Sequence, residues 1–242
     1  MSVTDRTRLL EWGRERVRVG PWRGDPTVAY LNPVPGTPLP SPDFVRRILR
    51  TLSEQGYRRA VTGALAPAEQ TGFRAVGFQA AEHLHLLAHD LRLVPPVAEL
   101  PVLLRRAART DRAAVLDVDA RAFDTFWRLD DPGLDEAIAA TPHSRFRVAT
   151  TPAGDVVGYA VTGRAGRRGY VQRLAVDPER QRGGIGTALV LDALRWLRRW
   201  RAERAMVNTQ LENGGALALY ERVGFQREPL GLAVLGIDLT DR

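Results

Sequence analysis

Two periodicities alternate along the carboxyl-terminal part of the chain, from Val102 on. Short apolar or alternating runs at Val102 to Arg106, Arg145 to Thr150, Val156 to Arg164 and Gly169 to Val176 predict strands, with Pro152, Ala153 and Gly154 turning a hairpin. A segment opened by Thr110 and Asp111 and running to about Phe123, and a short one near Leu134 to Ala140, predict helices. Val190, Ala193, Leu194, Leu197 and Trp200 then recur at three- and four-residue spacing, the core stripe of an amphipathic helix. A strand from Ala205 to Leu211, a helix from Gly214 to Arg222 and a last strand or pair of strands ending at Leu239 complete the order. This alternation predicts an α/β fold, a mixed central sheet with helices on both faces.

The region before it is set apart by RLVPPVAELP, residues 92–101, whose three prolines and weak periodicity predict a linker. The domains expected are therefore 1–91 and 102–242. The first holds a clue to its own origin. VGFQ occurs at Val76 to Gln79 and again at Val223 to Gln226, 147 positions apart. At that offset GFQAAEHLHLLAHDL parallels GFQREPLGLAVLGIDL, YRRAVTGAL parallels RAMVNTQL, and a helix from Phe44 to Gln55 parallels the one after residue 186. Residues 1–91 read as a partial, decayed copy of the carboxyl-terminal half.

The chemistry-bearing segment is VQRLAVDPERQRGGIG, Val171 to Gly186. A strand stops at Asp177 and Pro178, Gly183, Gly184 and Gly186 clear side chains from the approach to backbone N–H groups, and a helix begins, its positive end aimed at the same spot. Each N–H donated to a phosphate oxygen is worth roughly 1.5–3 kcal/mol, so a few converging donors hold a diphosphate without a lysine. The spacing is neither G-x-G-x-x-G nor G-x-x-x-x-G-K-[ST]. Downstream comes NGGALALYERVGF, Asn213 to Phe225. Together, Gln181, Gly184 and Gly186, then Asn213, Ala216, Leu219, Tyr220, Gly224 and Phe225, resemble the two motifs of the GNAT superfamily of N-acetyltransferases, over about Pro101 to Leu239.

The resemblance implies acetyl-CoA as co-substrate, its pyrophosphate on the backbone of Arg182, Gly183, Gly184, Ile185, Gly186 and Thr187. It implies the pantetheine arm lying as an extra strand beside Leu174, Ala175 and Val176, in a splay between strands 169–176 and 205–211, with Asn213 fixing the arm. An N–H near Leu174 or Ala175 would polarise the thioester carbonyl, and Tyr220 is the implied general acid, unless it is a core aromatic. In the first region the same positions carry Phe73 for Tyr220, Ala66 for Asn213 and the proline-rich PVPGTPLPSP for the cradle. Proline offers no N–H, so that region resembles the degenerate unit of a tandem GNAT protein.

No base is evident. Asn208 and Tyr170 occupy the positions where related acetyltransferases carry glutamate, which leaves an acceptor of low amine pKa or a water chain to Asp119, Asp124 or Glu212. Phe126 and Trp127, among Asp124, Asp130 and Asp131, border the expected acceptor cleft or else cover the core. The function expected is direct acetyl transfer to a primary amine, of a protein amino terminus or a small molecule; the alternative is a silent acyl-CoA-binding regulatory module.

Composition narrows this further. The net charge of +7 comes wholly from arginine among its 35 basic side chains, which reads as coding bias with a solvated helix face at Arg195, Arg198, Arg199, Arg201 and Arg204, not as a nucleic-acid surface. No cysteine is present, which excludes disulfides, thiolate metal ligands and an acyl-cysteine route. His83, His85 and His89 fall on a predicted strand beside solvent, so no metal is expected. No apolar run reaches the roughly 20 residues of a membrane span, and Asp5, Arg6 and Arg8 charge the amino terminus; the expectation is a cytoplasmic protein that binds no membrane, with a homodimer suggested by the family.

Overall fold

The computed structural model describes residues 7–96 and 101–240. Asp5, Arg6 and linker residues 97–100 lie outside them. Two compact units divide the chain: one holds the residues up to Leu86 with Gln210–Glu212 and the chain from Pro229 on, the other holds Leu87–Thr209 and Asn213–Glu228.

The first unit opens with three antiparallel strands, β1 (Arg8–Trp12), β2 (Glu15–Trp22) and β3 (Asp25–Pro33). Their turns are set by positive φ angles at Gly13 and at the Arg23–Gly24 pair, the handedness a tight hairpin requires. The alternation that buries Val17 and Val19 of β2 and Ala29 and Leu31 of β3 was readable, but Pro21 and Pro26 interrupt it. Helix α1 (Pro42–Glu54) starts at Ser41, whose hydroxyl accepts from the Phe44 N–H at 3.3 Å, and lays Phe44, Val45, Ile48, Leu49 and Leu52 on the sheet. Strand β4 (Arg59–Leu65) runs parallel to β3, the single turn α2 (Thr71–Arg74) follows, and β5 (Gln79–His89) returns.

The chain's last strand, Leu232–Asp238, is inserted antiparallel between β4 and β5. The sequence counted it with residues 102–242; its Ala233, Leu235 and Ile237 instead join the core of Val17, Leu31, Ile48 and Phe73, and the Leu235 N–H donates to Thr62 Oγ1 at 2.9 Å. Conversely Leu87 and Leu91, counted with the first region, pack with Val190, Leu194 and Tyr220.

The second unit runs β6 (Leu103–Arg106), α3 (Arg112–Ala122), α4 (Asp131–Ala139), β7 (His143–Thr150), β8 (Val156–Ala165), β9 (Arg168–Val176), α5 (Ile185–Arg199), β10 (Arg204–Gln210), α6 (Gly214–Val223) and the two-residue β11 (Gln226–Arg227); the strand at Leu232–Asp238 is β12. Its strands stand in the order β10-β9-β8-β7-β6, parallel between β10 and β9 and antiparallel elsewhere. The sheet is mixed, as the sequence predicts. Val115, Val118 and Leu134 cover one face of β7 and β8, and Ile185 and Leu189 the other. Among the described residues no helix is long and apolar enough to cross a membrane.

Trp200 does not complete the α5 stripe. Val190, Ala193, Leu194 and Leu197 are buried, but Trp200 is 55% exposed. Arg201 turns left-handed after it, and the N–H groups of Arg201 and Ala202 cap Arg198 and Leu197, so Ala202 takes the buried place.

The two VGFQ segments share local geometry. Phe73 and Phe78 meet edge to face with centroids 5.3 Å apart, as Tyr220 and Phe225 do at 5.6 Å. In each pair the second residue's N–H donates to the first's carbonyl across a left-handed glycine, Gly77 or Gly224. One small residue has changed sides. In the second unit Gly186 of α5 admits Leu219 of α6, whereas in the first Gly72, at the position of Leu219, admits the Pro40 backbone. A Cβ on Gly72 would lie 1.9 Å from the Pro40 carbonyl oxygen. Gly72→Ala is therefore expected to destabilise the protein by about 1–3 kcal/mol or more, read as a lowered urea midpoint.

Candidate active site

The cradle is built where β9 ends. Asp177 accepts from the Glu179 N–H at 3.1 Å and from Arg121 Nη1 at 2.6 Å, which fixes the turn to α3. Gln181 Nε2 donates to the Val176 carbonyl at 3.2 Å. Arg182 and Gly184 then take left-handed conformations, at φ 62° and 84°. Gly184 is the N-cap of α5 and supplies no side-chain acceptor, so the first-turn N–H groups of this 15-residue helix keep their donors. Gln181, Arg182, Gly183 and Gly184 are exposed, Thr187 half-buried, and Ile185 and Gly186 are packed beneath them.

Upstream, β9 and β10 pair only from Arg204↔Arg168 to Met206↔Tyr170. Beyond that register the edge of β9 carrying Leu174, Ala175 and Val176 has no ladder with β10, although its other edge continues along β8. The pairing with β8 slips between Val161 and Thr162, leaving Gln172 as the extra residue of a bulge, which bends and twists β9 at the point where it leaves β10. An exposed cradle of N–H groups and an adjacent open strand edge fit a diphosphate with an extended amide arm, the chemistry of coenzyme A.

Helix α6 brings the second motif. Asn213 Oδ1 accepts from the Ala216 N–H of its own helix at 3.0 Å, and its amide N–H₂ donors are left to meet a ligand. Tyr220 is 5% exposed. Burial pushes its phenol well above the ordinary range and the Arg173 charge pulls it back, so it is an O–H donor throughout the neutral range.

The end of α6 is held by His89, which is buried rather than beside solvent as the strand pattern suggested, because β5 runs on past its exposed half. Its Nδ1 accepts from the Leu91 N–H at 2.9 Å, and its ring lies against Phe225. Burial lowers its pKa, opposed by the Asp90 charge and a hydrogen bond to the Val223 backbone. For a histidine kept neutral, the unfolded chain takes up the proton first as pH falls, so stability is lost below about 6.5. The urea midpoint is expected to fall between pH 7.5 and 5.5 (roughly one unit either side of that value), and His89→Gln to flatten that fall. His83 is exposed, and among the described residues no metal-binding cluster forms.

On the α3 side of β9 stands a network that the sequence reading missed. Arg173, 10% exposed, donates through Nε and Nη2 to the two oxygens of Asp119, each at 2.8 Å, and through Nη2 to the Trp127 carbonyl at 2.8 Å. Asp119 is fully buried and also accepts from the Leu129 N–H at 2.7 Å and from the Tyr159 hydroxyl. Burial above all raises the Tyr159 pKa, keeping it a donor. Asp119 is thus saturated with donors, which removes it from the candidates for a base. Phe126 and Trp127 are half-buried and packed edge to face, centroids 5.1 Å apart, on a loop that this network ties to β9. Tyr170 is half-buried and Asn208 exposed.

Residues 112–225 match the Acetyltransferase (GNAT) family. A mycothiol acetyltransferase of Salinispora tropica is 32% identical over 228 residues, 81% of this chain and 72% of that one. The N-alpha-acetyltransferase RimI of Mycobacterium tuberculosis is 32% identical over 133 residues, 52% of this chain and 80% of that one. A tandem GNAT protein from the clavulanic acid biosynthesis pathway superposes with a TM-score of 0.67 at 12% identity, over 93% of this chain and 79% of the other, a likeness of fold. With its cradle and motif helix in the matched region and nearly three-quarters of a curated relative aligned, the chain belongs to the GNAT acetyltransferase family and is an N-acetyltransferase.

Proposed function

We propose that the protein transfers the acetyl group of acetyl-CoA directly to an α-amine, at a peptide amino terminus or on a small molecule. The observation that carries this is the open edge of β9 running into the glycine cradle of α5, with Tyr220 as the O–H donor of the neighbouring motif helix. Acetyl-CoA supplies the activated acyl group. The cradle N–H groups of Arg182 to Thr187 hold its diphosphate, the amide of Asn213 steadies its arm, and an N–H at Leu174 or Ala175 polarises the carbonyl under attack.

The acceptor class follows from what is missing. With no cysteine there is no acyl-enzyme route through a thiol, Asp119 is occupied, Asn208 and Tyr170 offer no useful base, and what is left is a water chain to the exposed Asp124 or Glu212. At pH 7 an α-amine near 8 costs about 1.4 kcal/mol to deprotonate and a lysine amine about 4.6 kcal/mol. A site without a strong base favours the first. The relative named an N-alpha-acetyltransferase supports an acceptor of this kind.

Thiol release from acetyl-CoA against peptides and small amines tests the reading. Gly184→Glu places a carboxylate and a strained residue in the cradle, and is expected to raise the KM for acetyl-CoA about tenfold or more, one charge-assisted contact's worth. Coenzyme binding without turnover of any amine would instead identify a silent acyl-CoA-binding module.

A further inference from the structure

Arg173 is anchored at one edge and open at the other. A guanidinium carries five N–H donors. Nε and Nη2 supply the three bonds to Asp119 and Trp127, and the Phe123 ring lies 3.6 Å from Cζ, so the fork is held in plane and capped on one face. The two donors of Nη1 have no acceptor among the described residues, and Nη1 is not among the atoms sealed from solvent without a partner. Nη1 therefore keeps some access to solvent. Arg173 stands on β9 directly before Leu174, is bonded to the loop of Phe126 and Trp127, and its charge lowers the Tyr220 phenol pKa against the effect of burial.

A bidentate carboxylate covers only one edge of a guanidinium. Here Asp119 holds the guanidinium in place, and its own charge is further met by the Tyr159 hydroxyl and the Leu129 N–H. What remains is a preorganised donor on a largely buried side chain, tied to the loop of Phe126 and Trp127 that the family resemblance places at the acceptor.

We propose that Arg173 Nη1 is an acceptor subsite that takes a carbonyl or carboxylate oxygen carried on the carbon next to the amine, so that the enzyme selects α-aminoacyl acceptors. The inference rests on the acetyl-transfer reading above. Two consequences follow from the same charge. It orients the amine by its neighbouring oxygen, and it disfavours the ammonium form of an amine held beside it, which helps a site without a strong base. A diamine, whose neighbouring group is cationic, is rejected.

The test has a binding arm and a turnover arm. Calorimetry on the full chain saturated with coenzyme A compares N-acetylglycine, N-acetylglycinamide and N-ethylacetamide, which differ in bearing a carboxylate, a carbonyl or neither beside the acetylated nitrogen. The first two are expected to bind at least about tenfold tighter than the third, the effect of one hydrogen bond to a charged group. Arg173→Lys, which keeps the charge for Asp119 but lacks the second edge of the fork, is expected to bring the three within about threefold. Equal binding by the wild type, no binding of any probe, or a preference that survives in Arg173→Lys overturns the proposal. Should Arg173→Lys not fold, the wild-type ranking decides. A tighter carboxylate than amide points to a free amino acid as the source, the reverse to a peptide end.

In the turnover arm, the kcat/KM of glycinamide is expected to exceed that of ethylenediamine by at least about tenfold, and Arg173→Lys to lose this through KM more than kcat. If no amine is acetylated, the acetyl-transfer reading fails, and the binding ranking still judges Arg173.

Discussion

Tyr220→Phe is expected to lower kcat about 10- to 150-fold while leaving the affinity for acetyl-CoA and the unfolding midpoint close to wild type. The range is that of one hydrogen bond to a developing charge, about 1.5–3 kcal/mol. Complete proton transfer to the departing thiolate is already uphill by about 2 kcal/mol from reference pKa values, and burial makes the phenol a weaker acid still. The hydroxyl therefore acts by a bond that strengthens as charge appears on sulfur, with Arg173 offsetting the burial. The substitution is unusually clean, because the first unit already carries it. Phe73 occupies the repeat position, fully buried, with Phe78 packed on its edge as Phe225 packs on Tyr220. A loss above about 10³-fold would indicate a full general acid, and an unchanged kcat would make Tyr220 a core residue.

The parts of this site that lie along the chain were legible in it. A glycine-rich turn between a strand and a helix has a local cause, in residues that can adopt φ 84° and in a helix start that lacks a capping side chain, and both appear where the sequence puts them. A left-handed glycine and an aromatic pair five residues apart occur at both Phe73 to Phe78 and Tyr220 to Phe225, where the sequence shares VGFQ. What could not be read depends on pairing at a distance. The insertion of β12 between β4 and β5 is decided by ladders across more than half the chain, and nothing local marks Leu232–Asp238 as belonging to the first unit. Strands β1 to β3 hid behind prolines that fall at their turns and ends. Arg173 and Asp119, 54 positions apart, each looked like one more charge in an arginine-rich chain. The signal available was faint: an arginine in the otherwise apolar end of β9, at a position facing the same side as buried Ala175, has to find a carboxylate or leave the strand.

That pairing makes Asp119 the most sensitive side chain outside the reacting groups. Asp119→Asn removes the counter-charge of a nearly buried guanidinium, and breaking such a pair costs about 3–5 kcal/mol because the remaining ion is left uncompensated. For a protein of this size each kcal/mol corresponds to about 2–4 °C in Tm, so a drop of several degrees to well over ten degrees is expected. Hydrogen exchange should show the loss locally, in α3 and the loop of Trp127 and Leu129, whose carbonyl and N–H meet Arg173 and Asp119, while amides of α1 and β4 in the first unit keep their protection. Asp119→Asn with Arg173→Met separates the buried charge from its packing: if the single variant suffers from an orphaned cation, the double variant recovers a substantial part of the stability, since no uncompensated ion then stays buried. It recovers no acceptor selectivity, because the Nη1 donors are gone. A double variant no more stable than the single one would place the loss elsewhere, in the Tyr159 and Leu129 bonds that Asp119 also receives.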